Sequence, residues 1–135
     1  GCMGASIGMH TGFEKARPEM AGKSVAVIGD STFIHSGITP LIDLVYNKGT
    51  GTVLILDNRV TAMTGHQENP ATGVTLMGEE THELDLELLC RAVGVKRVRK
   101  VDPKNMDEFE KTVREELEAR EPSVIISSRK CILTK

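Results

Sequence analysis

The sequence has no tryptophan, one tyrosine and three phenylalanines, so aromatic rings make up 3% of its 135 residues. Too few flat rings remain for a surface on which single-stranded nucleic acid could stack. An excess of positive charge is missing as well: seventeen Lys and Arg stand against nineteen Asp and Glu, a formal net charge of -2. That balance excludes the basic footprint with which proteins grip a polyanion and points to a small anion held at one place. No apolar run approaches membrane-spanning length, and no signal-peptide pattern is visible. Cysteine is sparse, with Cys2, Cys90 and Cys131 forming no CxxC pair. An odd, widely spaced set suits a reducing cytoplasm better than a disulfide framework. It also excludes a four-cysteine zinc or iron–sulfur site built by this chain alone.

What is present fits one domain with a real core. Val25–Ile28, Val53–Leu56 and Val124–Ile126 are short, mostly β-branched apolar runs, the pattern of strands covered on both faces. Val95–Val101 carries basic residues between its valines and reads as a weaker or edge strand. Between the strands lie helices with recognisable ends. Thr39 is expected to cap a helix beginning at Pro40 and closing at Gly49, with Leu41, Leu44 and Val45 facing inward. Asp85 caps the next, where Leu86, Leu89, Cys90 and Val93 share a stripe and Gly94 is the stop. Asn105 with Glu108 forms a capping box ahead of Phe109, Val113 and Leu117, and the charged stretch Glu108–Glu121 reads as a solvated face. Gly4 to Ala16 is small and Gly-rich but can be helical. This alternation predicts an α/β fold, a mostly parallel sheet flanked by helices. The stretch from Asn58 to Glu80 has no clear period, and loops of that length are usually functional or disordered. It comes directly after a strand, where ligands bind in open α/β sheets.

The chemistry concentrates at two strand ends. Gly29-Asp30-Ser31 comes after Val25–Ile28, and Asp57-Asn58-Arg59-Val60 after Val53–Leu56. Twenty-eight positions separate Asp30 from Asn58, about what a strand–helix–strand return needs, and a right-handed crossover puts both ends on one edge. A carboxylate, an amide oxygen and backbone carbonyls would then converge. An all-oxygen set of this kind suits a hard cation such as Mg2+, which commonly takes further oxygens from a phosphate. Ser31, Thr32 and the N–H groups just beyond them could hold diphosphate oxygens. Taken singly, Asp30 is as well explained by a turn and Asn58 by a loop bend; the pairing at this spacing favours a site.

These residues carry a family resemblance. Gly29-Asp30-Ser31 with Asn58 further on resembles the thiamine-diphosphate motif, and Gly1-Cys2-Met3-Gly4-Ala5-Ser6-Ile7-Gly8 resembles the small-residue segment before it. Leu56-Asp57-Asn58-Arg59-Val60-Thr61-Ala62-Met63-Thr64-Gly65-His66-Gln67 is the most specific stretch, and Phe33-Ile34-His35-Ser36-Gly37-Ile38 is similar too. The likeness is to the 2-oxoacid:ferredoxin oxidoreductase family, closest to the alpha subunits of its indolepyruvate members, and it spans nearly the whole chain. It implies a pyrophosphate-domain fold over residues 1–135. It implies a metal site of Asp30, Asn58 and the Val60 carbonyl, with Gly29, Ser31 and Thr32 against the diphosphate. Gly1, Cys2, Met3 and Gly4 would line the ring end through backbone; Thr61, Met63, Thr64, His66 and Gln67 would form a loop over the cofactor. His66 is the candidate for substrate or proton contact and His35 a second; His10 and His82 are unassigned. Met3 and Met63 are as readily packing residues, Cys2 a small hydrophobe, and Cys90 core.

The activity implied is oxidative decarboxylation of an aryl pyruvate to acyl-CoA with ferredoxin reduction, the cofactor carrying the reaction and the protein orienting it. Partners implied are the 2-oxoacid substrate, coenzyme A, ferredoxin, a pyrimidine-binding domain with its activating glutamate, and a beta subunit, in an oligomer without nucleic acid or membrane. Iron–sulfur clusters would lie on other domains. Both chain ends are expected to be boundaries of a fragment of a longer subunit, inactive alone. Other thiamine-dependent 2-oxoacid oxidoreductases or decarboxylases remain alternatives. A GDS-type serine hydrolase with Ser31 as nucleophile is disfavoured, since no Asp-x-x-His occurs and no histidine lies beyond His82. A non-catalytic assembly module is disfavoured by intact Asp30 and Asn58.

Overall fold

In the computed structural model, residues 2–131 are described, Met63 by its backbone only. Four parallel strands form one sheet, β1 (Val25–Gly29), β2 (Thr52–Asp57), β3 (Arg97–Val101) and β4 (Ser123–Ser128), in the order β1-β2-β4-β3. The fold class read from the sequence therefore holds, and the basic segment is an edge strand as expected. Helices α1 (Ala5–Ala16), α3 (Ile38–Tyr46) and α4 (Leu86–Ala92) cover one sheet face, and α5 (Met106–Ala119) lies on the other over β3 and β4; the short α2 (Asp30–Thr32) leads out of β1.

The core lies under α1, α3 and α4, where Ile7, Phe33, Leu41, Leu44 and Cys90 meet Ala26, Ile28, Val53, Ile55, Val98, Val124 and Ile126. Burying each large aliphatic side chain completely, as at Leu41 and Leu44, contributes about 1.5–3 kcal/mol. The opposite face over β1 and β2 departs from the expected covering on both sides. Val27 is 48% exposed and Leu56 44% exposed, because α5 reaches only the β3–β4 half.

The first crossover helix also differs from its sequence reading. Helix begins at Asp30, directly after β1, and continues through a π turn at Phe33–Gly37 into α3. Thr39 is therefore inside the helix and caps nothing. Pro40 sits just beyond the π turn, where the ladder is already displaced, so its missing N–H costs little. The helix closes with Lys48 in the left-handed region at φ 52, its N–H bonding Val45 at 3.1 Å and the Gly49 N–H bonding Leu44 at 2.9 Å. Glycine is needed at position 49 for room: a Cβ there would overlap the Leu44 side chain.

The other helix ends agree with the sequence reading. Asp85 accepts the Leu88 N–H at 2.9 Å, and α4 closes on Gly94 at φ 104. Asn105 accepts the Glu108 N–H at 3.4 Å as the cap, and its side-chain amide donates to the Glu108 carboxylate at 2.9 Å. Its backbone N–H goes to the Asp102 carbonyl at 3.0 Å, so the expected box closes between side chains only. The charged face of α5 is not wholly solvated, however. Glu116 is 1% exposed and paired with Arg97 at 2.7 Å, because β3 presents its basic side chains to this helix. Phe109, Val113 and Leu117 are only partly buried.

Candidate functional site

The site is built where β1 and β2 end. Their register pairs Gly29 with Leu56, so Asp30 and Asp57 leave neighbouring strands side by side on one edge of the sheet. A Cβ on Gly29 would meet nothing within 4 Å, so the strand tip has open space in front of it. Asp30 turns directly into helix and its Oδ1 accepts the Ser31 N–H at 2.7 Å. The residue is only 4% exposed, yet its Oδ2 is buried without a hydrogen-bond partner. Burial pushes the Asp30 carboxyl up; the Ser31 N–H opposes this, the nearby Asp57 carboxylate adds to it, and the Asn69 amide and Arg59 N–H work against it. A buried carboxylate with one unpaired oxygen asks for a cation.

The second strand tip is held firmly. Asp57 accepts the Ser128 hydroxyl at 2.7 Å and the Arg59 N–H at 3.3 Å, and one of its oxygens lies 3.3 Å from Arg59 Nε. Arg59 adopts the left-handed region at φ 61, uncommon for a side chain of this size and sustained only by surrounding bonds. Its guanidinium supplies them, donating to the Ala71 carbonyl at 3.3 Å and pairing with Glu83. The turn so fixed puts Asn58 at the tip, partly exposed, with Oδ1 accepting the Val60 N–H at 3.2 Å. The Asn58 carbonyl is taken by the Cys131 N–H at 3.1 Å. Val60 itself is buried. Between Asp57, Arg59, Glu83, Asp85 and Lys100 lies a cavity of about 270 Å³.

The remaining sequence candidates fall into three groups. Ser31 is partly buried and Thr32 buried, both at the helix start beside Asp30. Gly4, at φ 91, leads into α1 against the π turn, where a Cβ would overlap Ser36 Oγ. That contact brings the small-residue segment to the same edge, with Cys2 and Met3 exposed next to it; Gly1 lies outside the described residues. The third group is the loop, where Thr61 pairs with Gln67 in an antiparallel bridge around a 3-10 turn at Ala62–Thr64. Thr64 and Gln67 bond each other at 2.6 Å, and His66 is exposed at φ 63. His35 is exposed on the π turn. Among the described residues His10 is hydrogen-bonded to Ser24 rather than to Ser31, at 3.0 Å.

Three residues at this corner were not singled out from the sequence: Asp57, Arg59 and Asn69. Asp57 and Arg59 were visible as neighbours of Asn58 in a charged strand-end tetrapeptide. Asn69 carries only the weaker signal of an Asn-Pro turn. Among the described residues no group of three or more His, Cys, Asp or Glu side chains is placed to hold a metal ion. A cation here would need the mixed set of one carboxylate, one amide and backbone oxygens, the hard donors that Mg2+ accepts. The orphaned Asp30 oxygen fits that demand.

Comparison with known proteins gives these likenesses. The family model described as thiamine pyrophosphate enzyme, C-terminal TPP binding domain, matches residues 1–127. The indolepyruvate oxidoreductase subunit IorA of Methanothermobacter thermautotrophicus is 44% identical over 132 residues, which is 98% of this chain and 21% of that protein. The subunit of the same name from Archaeoglobus fulgidus is 40% identical over 132 residues, again 98% and 21%. The chain thus spans about a fifth of the length of these relatives. Among solved structures, the 2-oxoglutarate:ferredoxin oxidoreductase from Magnetococcus marinus superposes with a TM-score of 0.84 at 16% identity, covering 98% of this chain and 47% of that one. A thiamine diphosphate-dependent 4-hydroxybenzoylformate decarboxylase from Rhodococcus jostii gives 0.67 at 20% identity, covering 98% and 24%. At such identities these two show the shared fold. No helix among the described residues is long and apolar enough to cross a membrane.

Proposed function

This chain belongs to the thiamine pyrophosphate enzyme family, as its C-terminal TPP-binding domain, and from that premise we propose that it holds the diphosphate end of thiamine diphosphate, with Mg2+, in an indolepyruvate-type 2-oxoacid:ferredoxin oxidoreductase. The observation that carries the reading is the buried Asp30 carboxylate, with Oδ2 unpaired, on the strand tip beside Asn58. Asp30 Oδ2, the Asn58 amide oxygen and the Val60 carbonyl would hold the cation. Gly29, with open space in front of it, lets the diphosphate come close to the backbone, and Ser31 and Thr32 would meet it. Gly1, Cys2, Met3 and Gly4 would line the ring end, and Thr61, Met63, Thr64 and Gln67 the loop above it.

Thiamine diphosphate, when bound, supplies the electron sink for decarboxylating a 2-oxoacid. The chain's own part is to clamp one end of that molecule so that the reactive end is accurately placed. His66, exposed on the loop, is the residue offered for proton or substrate contact. An aryl pyruvate substrate, coenzyme A and ferredoxin, together with a pyrimidine-binding domain and a beta subunit, and iron–sulfur clusters on other domains, belong to the complete enzyme; the relatives' names support the indolepyruvate and oxidoreductase parts.

Calorimetric titration with thiamine diphosphate, with and without Mg2+, tests the proposal. Saturable binding that needs the metal and is lost on Asp30→Asn is the expected result. Metal-independent binding, or full affinity in that variant, would overturn it.

A further inference from the structure

Asn69 lies in the irregular loop after β2 and is only 7% exposed. Its Oδ1 accepts the Ala71 N–H at 2.9 Å, and its carbonyl accepts the Thr72 N–H at 2.9 Å and hydroxyl at 2.8 Å. Because a backbone N–H must face oxygen, these bonds settle which end of the amide is which. The Nδ2 group therefore points away from Ala71, and it is buried with no hydrogen-bond partner. The loop is tied back to the β2 tip by Arg59, which donates to the Ala71 carbonyl at 3.3 Å.

Across from this donor stands Asp30, whose Oδ2 is buried and unpaired in the same way. The Asn69 amide is among the groups that lie against this carboxylate. Buried donors and acceptors that neighbour one another ordinarily close into a bond. Here each is restrained from behind, Asn69 by the Ala71 N–H and Asp30 by the Ser31 N–H at 2.7 Å. A ligand that is cationic on the Asp30 side and anionic on the Asn69 side satisfies both, and a metal-bound diphosphate has that character.

We propose that Asn69 is a further residue of the cofactor site, its Nδ2 donating to a diphosphate oxygen while Asp30 Oδ2 holds the cation. This rests on the function proposed above and adds to it a neutral donor that reads the anion.

The test uses the intact enzyme carrying this chain. Asn69→Asp keeps the acceptor for Ala71 and turns the donor into a negative charge. Asn69→Ser keeps a short acceptor for the Ala71 N–H in the same kind of turn and removes the amide. Calorimetry at saturating Mg2+ should show thiamine diphosphate bound about tenfold or more weakly in both, the loss of a charge-assisted bond. The cofactor-free Asn69→Ser variant should melt as wild type does, whereas Asn69→Asp, which sets a second buried carboxylate against Asp30, should melt lower. Affinity within about twofold of wild type, while Asp30→Asn binds nothing, would overturn this inference and leave the cofactor reading standing. A cofactor-free Asn69→Ser variant that melts lower, with unchanged affinity in the folded fraction, would make Asn69 a strut of the loop and overturn it too. Wild-type enzyme that binds no thiamine diphosphate would remove the underlying reading, and this inference with it.

Discussion

Replacing Asp30 by Asn should shift stability in opposite directions without and with the cofactor. The residue is 4% exposed, its Oδ2 has no partner, and the Asp57 carboxylate is close by. A buried polar group left unsatisfied costs about 1–3 kcal/mol, and a charged one more. An asparagine keeps an oxygen for the Ser31 N–H and trades the unpaired charge for an unpaired amide group, so the cofactor-free variant should gain a net of about 1–2 kcal/mol. That is roughly 4–8 °C in melting temperature for a domain of this size. The gain should shrink as pH falls. The Asp30 carboxyl is raised in the fold, so its charged form is what destabilises, and at pH values below the usual carboxylate range both variants are neutral. With ligand the order reverses. Wild type at a hundredfold excess over Kd should gain about 2.7 kcal/mol, and the variant none. Thermal melts with and without thiamine diphosphate and Mg2+ give all four values. A cofactor-free variant that melts below wild type, or one that keeps the ligand-induced rise, refutes the assignment of Asp30 as a destabilising carboxylate held for a cation.

Gly4→Ala should lower stability by about 1–3 kcal/mol, since position 4 combines φ 91 with overlap of Ser36 Oγ; urea titration measures it, and an unchanged midpoint would contradict the close approach of this segment to the π turn. His10 is buried against Ser24 at 3.0 Å, and burial lowers its pKa while Glu14 opposes this. The unfolded state therefore binds the proton first, so stability should be level above the ordinary value of 6.5 and fall as pH drops below it. His10→Gln should flatten that slope. The buried Cys90 thiol is pushed up to about 12, so iodoacetamide at about pH 8 should label the exposed Cys2 and spare Cys90 until the protein is unfolded; mass spectrometry locates the adducts. Arg97→Met should destabilise by about 1–2 kcal/mol, less than a fully buried pair because the arginine is 36% exposed. Chemical denaturation decides, and no loss would mean that Arg99, 3.5 Å from Glu116, compensates.

Much of the fold could be read from local pattern. The β-branched runs at Val25, Val53 and Val124 became strands, and Asp85 and Asn105 became caps, because a cap needs only residues within one helical turn. The convergence of Asp30 and Asn58 on one edge came from strand–helix–strand spacing, since parallel neighbours must present the same end. Thr39 misled because the helix starts earlier, at Asp30, and tolerates Pro40 by widening into a π turn that no local preference announces. Glu116 misled because an acidic side chain on a charged helix looks solvated until β3 places Arg97 beneath it.

Alternating strands and helices, the sheet edge that bears the candidate site and the meeting there of Asp30 and Asn58 were properties of the chain alone, since each depends on residues a few positions apart or on the length of one crossover. Tertiary structure alone decided which polar groups are buried without a partner. Asn69 meets Asp30 only because Arg59 ties the irregular loop back to the β2 tip, and burial belongs to the assembled layers rather than to any segment. The bare patch of Val27 and Leu56 has the same origin: apolar strand residues are written in the sequence, but what covers them is set by where helices from elsewhere in the chain come to rest.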